Sequence, residues 1–130
     1  MSNFVVLIVE DDPFQRESLA ELLKGEGLQM VECADPEAAE LVLASTGPDL
    51  RALVTDVELG GEVSGVELAQ YAKRRFPHLN VVMVSGKDAP LVPQDTHFLK
   101  KPYEPQQLLD ALLKMGSPVD APLARGQVNT

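Results

Sequence analysis

Phe4-Val5-Val6-Leu7-Ile8-Val9 is an unbroken apolar run that passes straight into Glu10-Asp11-Asp12. A short run of this kind, rich in β-branched residues and bounded by polar ones, is a strand buried on both faces. Leu53-Val54-Thr55 repeats the pattern and runs into Asp56. Buried strands have no use for carboxylates at their tips unless a cation sits there. Like charges held close raise one another's pKa and destabilise the fold. A hard divalent cation such as Mg²⁺ favours a few carboxylate oxygens plus water and phosphate, and so relieves that repulsion. The two acid-tipped runs therefore predict a Mg²⁺ site with Asp56 beside it.

Strand-like and helix-like periods alternate along the chain. Pro13–Lys24 is helical, with Pro13 in its first turn and Leu19, Leu22 and Leu23 on one face, and Gly25 and Gly27 stop it. Leu28–Cys33 is a weaker strand. Asp35 caps a helix that opens with Pro36, buries Ala38, Leu41 and Val42, and closes near Gly47-Pro48. Ala52–Thr55 is the third strand. Ser64-Gly65-Val66-Glu67 is a capping box that opens a helix through Phe76, which Pro77 terminates. Val81–Val84 and Thr96–Leu99 are the fourth and fifth strands. Pro105–Met115, with Leu108, Leu109 and Leu112, is the last helix, and Gly116 ends it.

Such alternation predicts an α/β fold, a parallel sheet with helices on both faces. Sheets of this kind bind ligands at the carboxyl ends of their strands, near the topological switch. Asp11, Asp56 and Ser85 all fall just past predicted strand ends.

At 130 residues, 45% hydrophobic and 24% charged, the chain suits one domain with a real core. Residues 1–116 make up that domain, and 117–130, with Pro118, Pro122 and Gly126, are expected to be a flexible tail. No apolar run approaches membrane-spanning length, and the N-terminus lacks the basic start and cleavage site of a signal peptide. The lone Cys33 rules out an internal disulfide and is expected to be a buried, inert thiol. Together these features point to the cytoplasm. The net charge of −9 argues against a nucleic-acid partner, which needs a basic face.

Four stretches carry a resemblance: Leu7-Ile8-Val9-Glu10-Asp11-Asp12-Pro13, Leu53-Val54-Thr55-Asp56, Val82-Met83-Val84-Ser85-Gly86 and Phe98-Leu99-Lys100-Lys101-Pro102-Tyr103. Each alone is weak. In this order and at strand ends they resemble the receiver domain of two-component response regulators (CheY-like), from residue 4 to about 115. The resemblance implies a single-domain three-layer sandwich around a five-stranded parallel sheet of order 2-1-3-4-5.

It also implies roles. Asp56 would be the phosphoryl acceptor, since a carboxylate is ionised at neutral pH and can attack phosphorus to give an acyl phosphate. The plainer role for a strand-end Asp is to cap the next turn. Asp11 would bind Mg²⁺ directly, Glu10 through water, and the main-chain carbonyl of Glu58 would complete the protein's share. Asp12 is expected to cap the helix that starts at Pro13. Lys101 would pair with the phosphoryl group, while Lys100 points the other way along the strand as a solvated charge. The Lys101-Pro102 bond is expected to be cis. Ser85 would hydrogen-bond a phosphoryl oxygen and draw its loop inward. Phe98 occupies the aromatic switch position, or simply fills the core. His78, after a helix-ending Pro, and His97, in a loop, are expected on the surface and not as phosphate carriers.

The chain departs from the family pattern in two places. Gly60-Gly61-Glu62-Val63-Ser64-Gly65 replaces the usual proline-containing loop and is longer by one residue, so a more mobile rim is expected. Between Gly86 and His97 stand Pro90 and Pro93, and Pro93 would break a helix. The fourth helix of the family is therefore expected to be absent or a single turn, with a remodelled output face. This resembles a subgroup found in bacterial hybrid kinases and stand-alone regulators.

The expected function is a stand-alone receiver that takes a phosphoryl group from a phosphohistidine on a sensor histidine kinase or phosphotransfer protein. Its catalysis is limited to its own phosphorylation and dephosphorylation. No output domain fits after the last helix in this sequence, so output would pass by contact with a downstream protein, without nucleic acid or membrane. Three alternatives stay open. One is a receiver cut from a hybrid kinase, and another is a degenerate receiver acting as an interaction module. The third is a Mg²⁺-dependent aspartyl-phosphate phosphatase, because Asp56-Val57-Glu58-Leu59 loosely resembles the acid-x-acid loop of haloacid-dehalogenase-like hydrolases.

Overall fold

The computed structural model describes residues 4–59, 64–88 and 92–113. Five strands, β1 (Val5–Val9), β2 (Gln29–Cys33), β3 (Ala52–Asp56), β4 (Asn80–Ser85) and β5 (Thr96–Lys100), form one sheet of order β2-β1-β3-β4-β5. Every pairing is parallel. Among the described residues four α-helices connect or follow the strands: α1 (Pro13–Gly25), α2 (Pro36–Thr46), α3 (Gly65–Arg75) and α4 (Pro105–Leu113).

Strand alternation sorts the apolar residues onto two faces, and both are covered. Leu7, Val9, Leu53 and Met83 pack with Leu43 of α2 and Leu68 of α3. Val6, Ile8, Val54 and Val82 pack on the other side with Leu23 of α1 and Leu108 of α4. The sheet is thus the middle of three layers. Cys33 is buried, and that burial raises its thiol pKa.

The expected caps are present. The Asp12 side chain accepts from the amides of Phe14 and Gln15, and Ser64 with Glu67 forms the capping box of α3. Three details differ from expectation. In α2 the buried residues are Pro36, Ala39 and Leu43, whereas Leu41 is 73% exposed. Apolar residues occur all round Ala38-Ala39-Glu40-Leu41-Val42-Leu43, so their spacing leaves the buried face to packing. Helix α3 stops at Arg75, because Phe76 precedes Pro77 and leaves the helical conformation (φ −134°, ψ 77°). His97 lies within β5, not in a loop, though it is exposed as expected.

Among the described residues between β4 and β5 there is no helix, as Pro93 predicts. The expectations for the Gly60–Val63 loop and for the tail after residue 116 lie outside the described residues. No helix among the described residues is long and apolar enough to cross a membrane.

Candidate functional site

Glu10, Asp56 and Ser85 are buried polar residues at the carboxyl ends of β1, β3 and β4. β1 and β3 pair directly, with Val9 opposite Thr55, so their acid tips lie side by side. Lys101 follows the last residue of β5, and its amide donates to the Ser85 carbonyl at 2.7 Å. From there its Nζ donates to Asp56 Oδ2 at 2.8 Å and approaches Glu10 Oε1 at 3.5 Å. The Lys101-Pro102 bond is cis, as expected.

The charges explain one another. Burial, more than any neighbour, pushes the Glu10 carboxyl from its ordinary value up to about 7, and the Asp56 charge adds to it. The Asp12 amide, donating to Glu10 Oε2 at 3.1 Å, and Lys101 pull the other way. Burial works against the Lys101 ammonium, yet the hydrogen bond and charge of Asp56 outweigh it and raise its pKa. A cation is therefore already needed between these carboxylates, and Lys101 supplies it.

Ser85 is fully buried. Its hydroxyl donates to the Glu58 carboxylate, with Oε1 and Oε2 each at 2.9 Å, and accepts from the Lys87 amide at 3.0 Å. The Glu58 amide donates to Asp56 Oδ1 at 3.1 Å, which fixes the turn after β3 against the acid. Gly65 is required nearby, since a Cβ there would collide with the Asp56 main-chain carbonyl. Phe98, half-buried on β5, packs against the core face that holds Met83.

The predicted site residues thus separate. Glu10, Asp56 and Lys101 are brought together, Ser85 is engaged by Glu58, and Asp11 sits exposed on the rim. Lys100 points away and pairs with Asp88 at 2.7 Å on the surface. Sequence reasoning missed three contributors. Gln15 Oε1 accepts from Lys101 Nζ at 2.5 Å, Arg16 Nη1 donates to the Glu10 carbonyl at 2.8 Å, and the Glu58 side chain holds Ser85. A polar residue and a cation one turn into the helix after an acidic triplet were the available signal for the first two.

Among the described residues no three His, Cys, Asp or Glu side chains gather as a ready metal cage. The donors present suit a different arrangement. Two hard carboxylates, one with its pKa raised by burial and further by the charge of the other, sit beside the turn after β3 and fit Mg²⁺ completed by water and phosphate.

The response regulator receiver domain family matches residues 6–113, and the chain belongs to that family. Receiver domains are signalling domains of two-component response regulators, which interact with kinases and downstream targets. Nodulation protein W of Bradyrhizobium diazoefficiens is 34% identical over 116 residues, a match covering 84% of this chain and 49% of that protein. The chain thus spans about half the length of that relative. The receiver domain of the hybrid histidine kinase CckA is 26% identical, with a TM-score of 0.75 over 86% of this chain and 98% of that one. A chain of the CheX–CheY–BeF3–Mg²⁺ complex of Borrelia burgdorferi is similar in fold, with a TM-score of 0.77, 21% identity, and coverage of 87% and 89%.

Proposed function

We propose that this chain accepts a phosphoryl group on Asp56 from a phosphohistidine of a sensor histidine kinase or phosphotransfer protein, in a Mg²⁺-dependent phosphorelay. The observation that carries this is the buried Asp56 carboxylate at the tip of the central strand, with Lys101 Nζ 2.8 Å away. An Asp56 oxygen forms a bond to phosphorus while the donor's phosphorus–nitrogen bond breaks. The electron pair stays on the imidazole nitrogen, which takes up a proton from water. Lys101 offsets the charge of the acyl phosphate, and Ser85 donates its hydroxyl to a phosphoryl oxygen.

Glu10, Asp11, Asp56 and the main-chain carbonyl of Glu58 would hold Mg²⁺, which when bound neutralises charge on the phosphoryl oxygens. An open depression of about 500 Å³ lies alongside Lys101, lined by Phe14, Ser18, Leu22, Pro102 and Tyr103. Phe14 is 81% exposed there. Such an apolar rim beside the acceptor suits a partner helix that presents the phosphohistidine. Engagement of Ser85 would pull the 85–98 segment, including Phe98, inward and alter the surface offered to a downstream protein. A cytoplasmic location follows from these partners. The same chemistry serves a receiver inside a longer protein, a reading favoured by the half-length match to Nodulation protein W.

Incubation with acetyl phosphate and Mg²⁺ tests the proposal. The intact mass should rise by one phosphoryl group, and the gain should vanish in Asp56→Asn and on chelation. No gain with acetyl phosphate or a cognate kinase would overturn it. Rapid turnover of small phosphoesters would favour the phosphatase reading instead.

A further inference from the structure

The Ser85 hydroxyl has one proton, and in this structure that proton is committed to Glu58. We infer that the Glu58 side chain is a latch on Ser85, which it must release before Ser85 can reach a phosphoryl group on Asp56. The inference rests on Asp56 being the acceptor.

Backbone geometry sets the latch. Asp56 lies opposite Val84 in the β3–β4 register, so Ser85 stands one residue beyond the acid on the neighbouring strand. The Glu58 amide is clamped to Asp56 Oδ1, which brings its carboxylate over β4. Ser85 is fully buried, whereas Glu58 is exposed. Only one partner can therefore leave easily, and it is the carboxylate. A phosphoryl group carries about 1.5 to 2 negative charges and strong acceptor oxygens. On Asp56 it would both repel Glu58 and compete for the same proton. Glu58 thus acts as a positioning residue: it holds the switch hydroxyl in the unphosphorylated state and raises the threshold for leaving it.

Removing Glu58 also removes a negative charge, which would favour any anion at Asp56 whether or not Ser85 is present. A double-mutant comparison separates the two effects. Beryllofluoride with Mg²⁺, a phosphoryl mimic, would be titrated into the wild type, Glu58→Ala, Glu58→Gln, Ser85→Ala and the Ser85→Ala/Glu58→Ala double variant, with the Lys87 amide resonance as the readout. Half-saturation should fall about tenfold in Glu58→Ala when Ser85 is present, the scale of one charge-assisted hydrogen bond. The gain should be clearly smaller in the Ser85→Ala background. Glu58→Gln, which keeps an acceptor but not the charge, should fall between. Before any ligand is added, the Lys87 resonance should already shift in Glu58→Ala, because the oxygen it bonds has lost its partner.

Equal gains in both Ser85 backgrounds would overturn the latch and leave only charge repulsion. Binding in the wild type with no effect of Glu58→Ala would overturn the latch alone. Neither beryllofluoride binding nor phosphoryl uptake in the wild type would overturn the acceptor reading and the latch together.

Discussion

β3 and β5 belong to one sheet, separated only by β4, yet their surroundings are opposite. Every residue of β3 is buried, with helices packed over both faces. No residue of β5 is buried, and among the described residues the strand pairs only with β4 and no helix leads into it. Asp56 ends the first strand and Phe98 sits in the second. The two settings suit different jobs. The proposed nucleophile stands on a strand that cannot shift without unpacking the core, which keeps its geometry fixed. The proposed reporter stands on a strand held by fewer apolar contacts, which small energies can move. Lys101 joins the two, since it follows β5 and closes on Asp56.

Truncation on each strand tests the contrast most strongly. Leu53→Ala on fully buried β3 should lower unfolding stability by about 3 kcal/mol, while Leu99→Ala on half-buried β5 should cost about 1 kcal/mol. Urea midpoints measure both, and equal losses would erase the contrast. The link between the strands should give a smaller effect. Lys101→Met leaves Glu10 and Asp56 without their shared cation. Because the Lys101 side chain is 23% exposed, the loss at neutral pH should be only about 1–2 kcal/mol. Millimolar Mg²⁺ should recover most of it in a thermal melt. A variant as stable as the wild type without Mg²⁺ would show that the carboxylates do not strain one another.

Much of this was legible in the sequence, for identifiable reasons. β1, β3 and β4 announce themselves because strands buried on both faces need unbroken apolar runs. The α1 and α3 caps were legible because capping is local chemistry within three residues. Pro93 marked the lack of a helix among the described residues between β4 and β5, since proline's effect is local too. The buried face of α2 was not legible: Leu41 and Leu43 are equally apolar, and only the sheet decides that Leu43 goes inside. The grip of Glu58 on Ser85 was hidden for a related reason. The residues are 27 apart, and the β3–β4 register alone brings them together. The site's charged members could be picked out by type and strand end, but their partners could not.

Asp56, held by Lys101 at the tip of a rigid strand, is the proposed carrier of the phosphoryl group. Borohydride reduces an aspartyl phosphate to homoserine, which makes the modified position readable by peptide mass spectrometry. After treatment with acetyl phosphate and Mg²⁺, homoserine should appear at position 56 and nowhere else. A protein that gains the phosphoryl mass while position 56 stays aspartate, or converts a different acid, would contradict it.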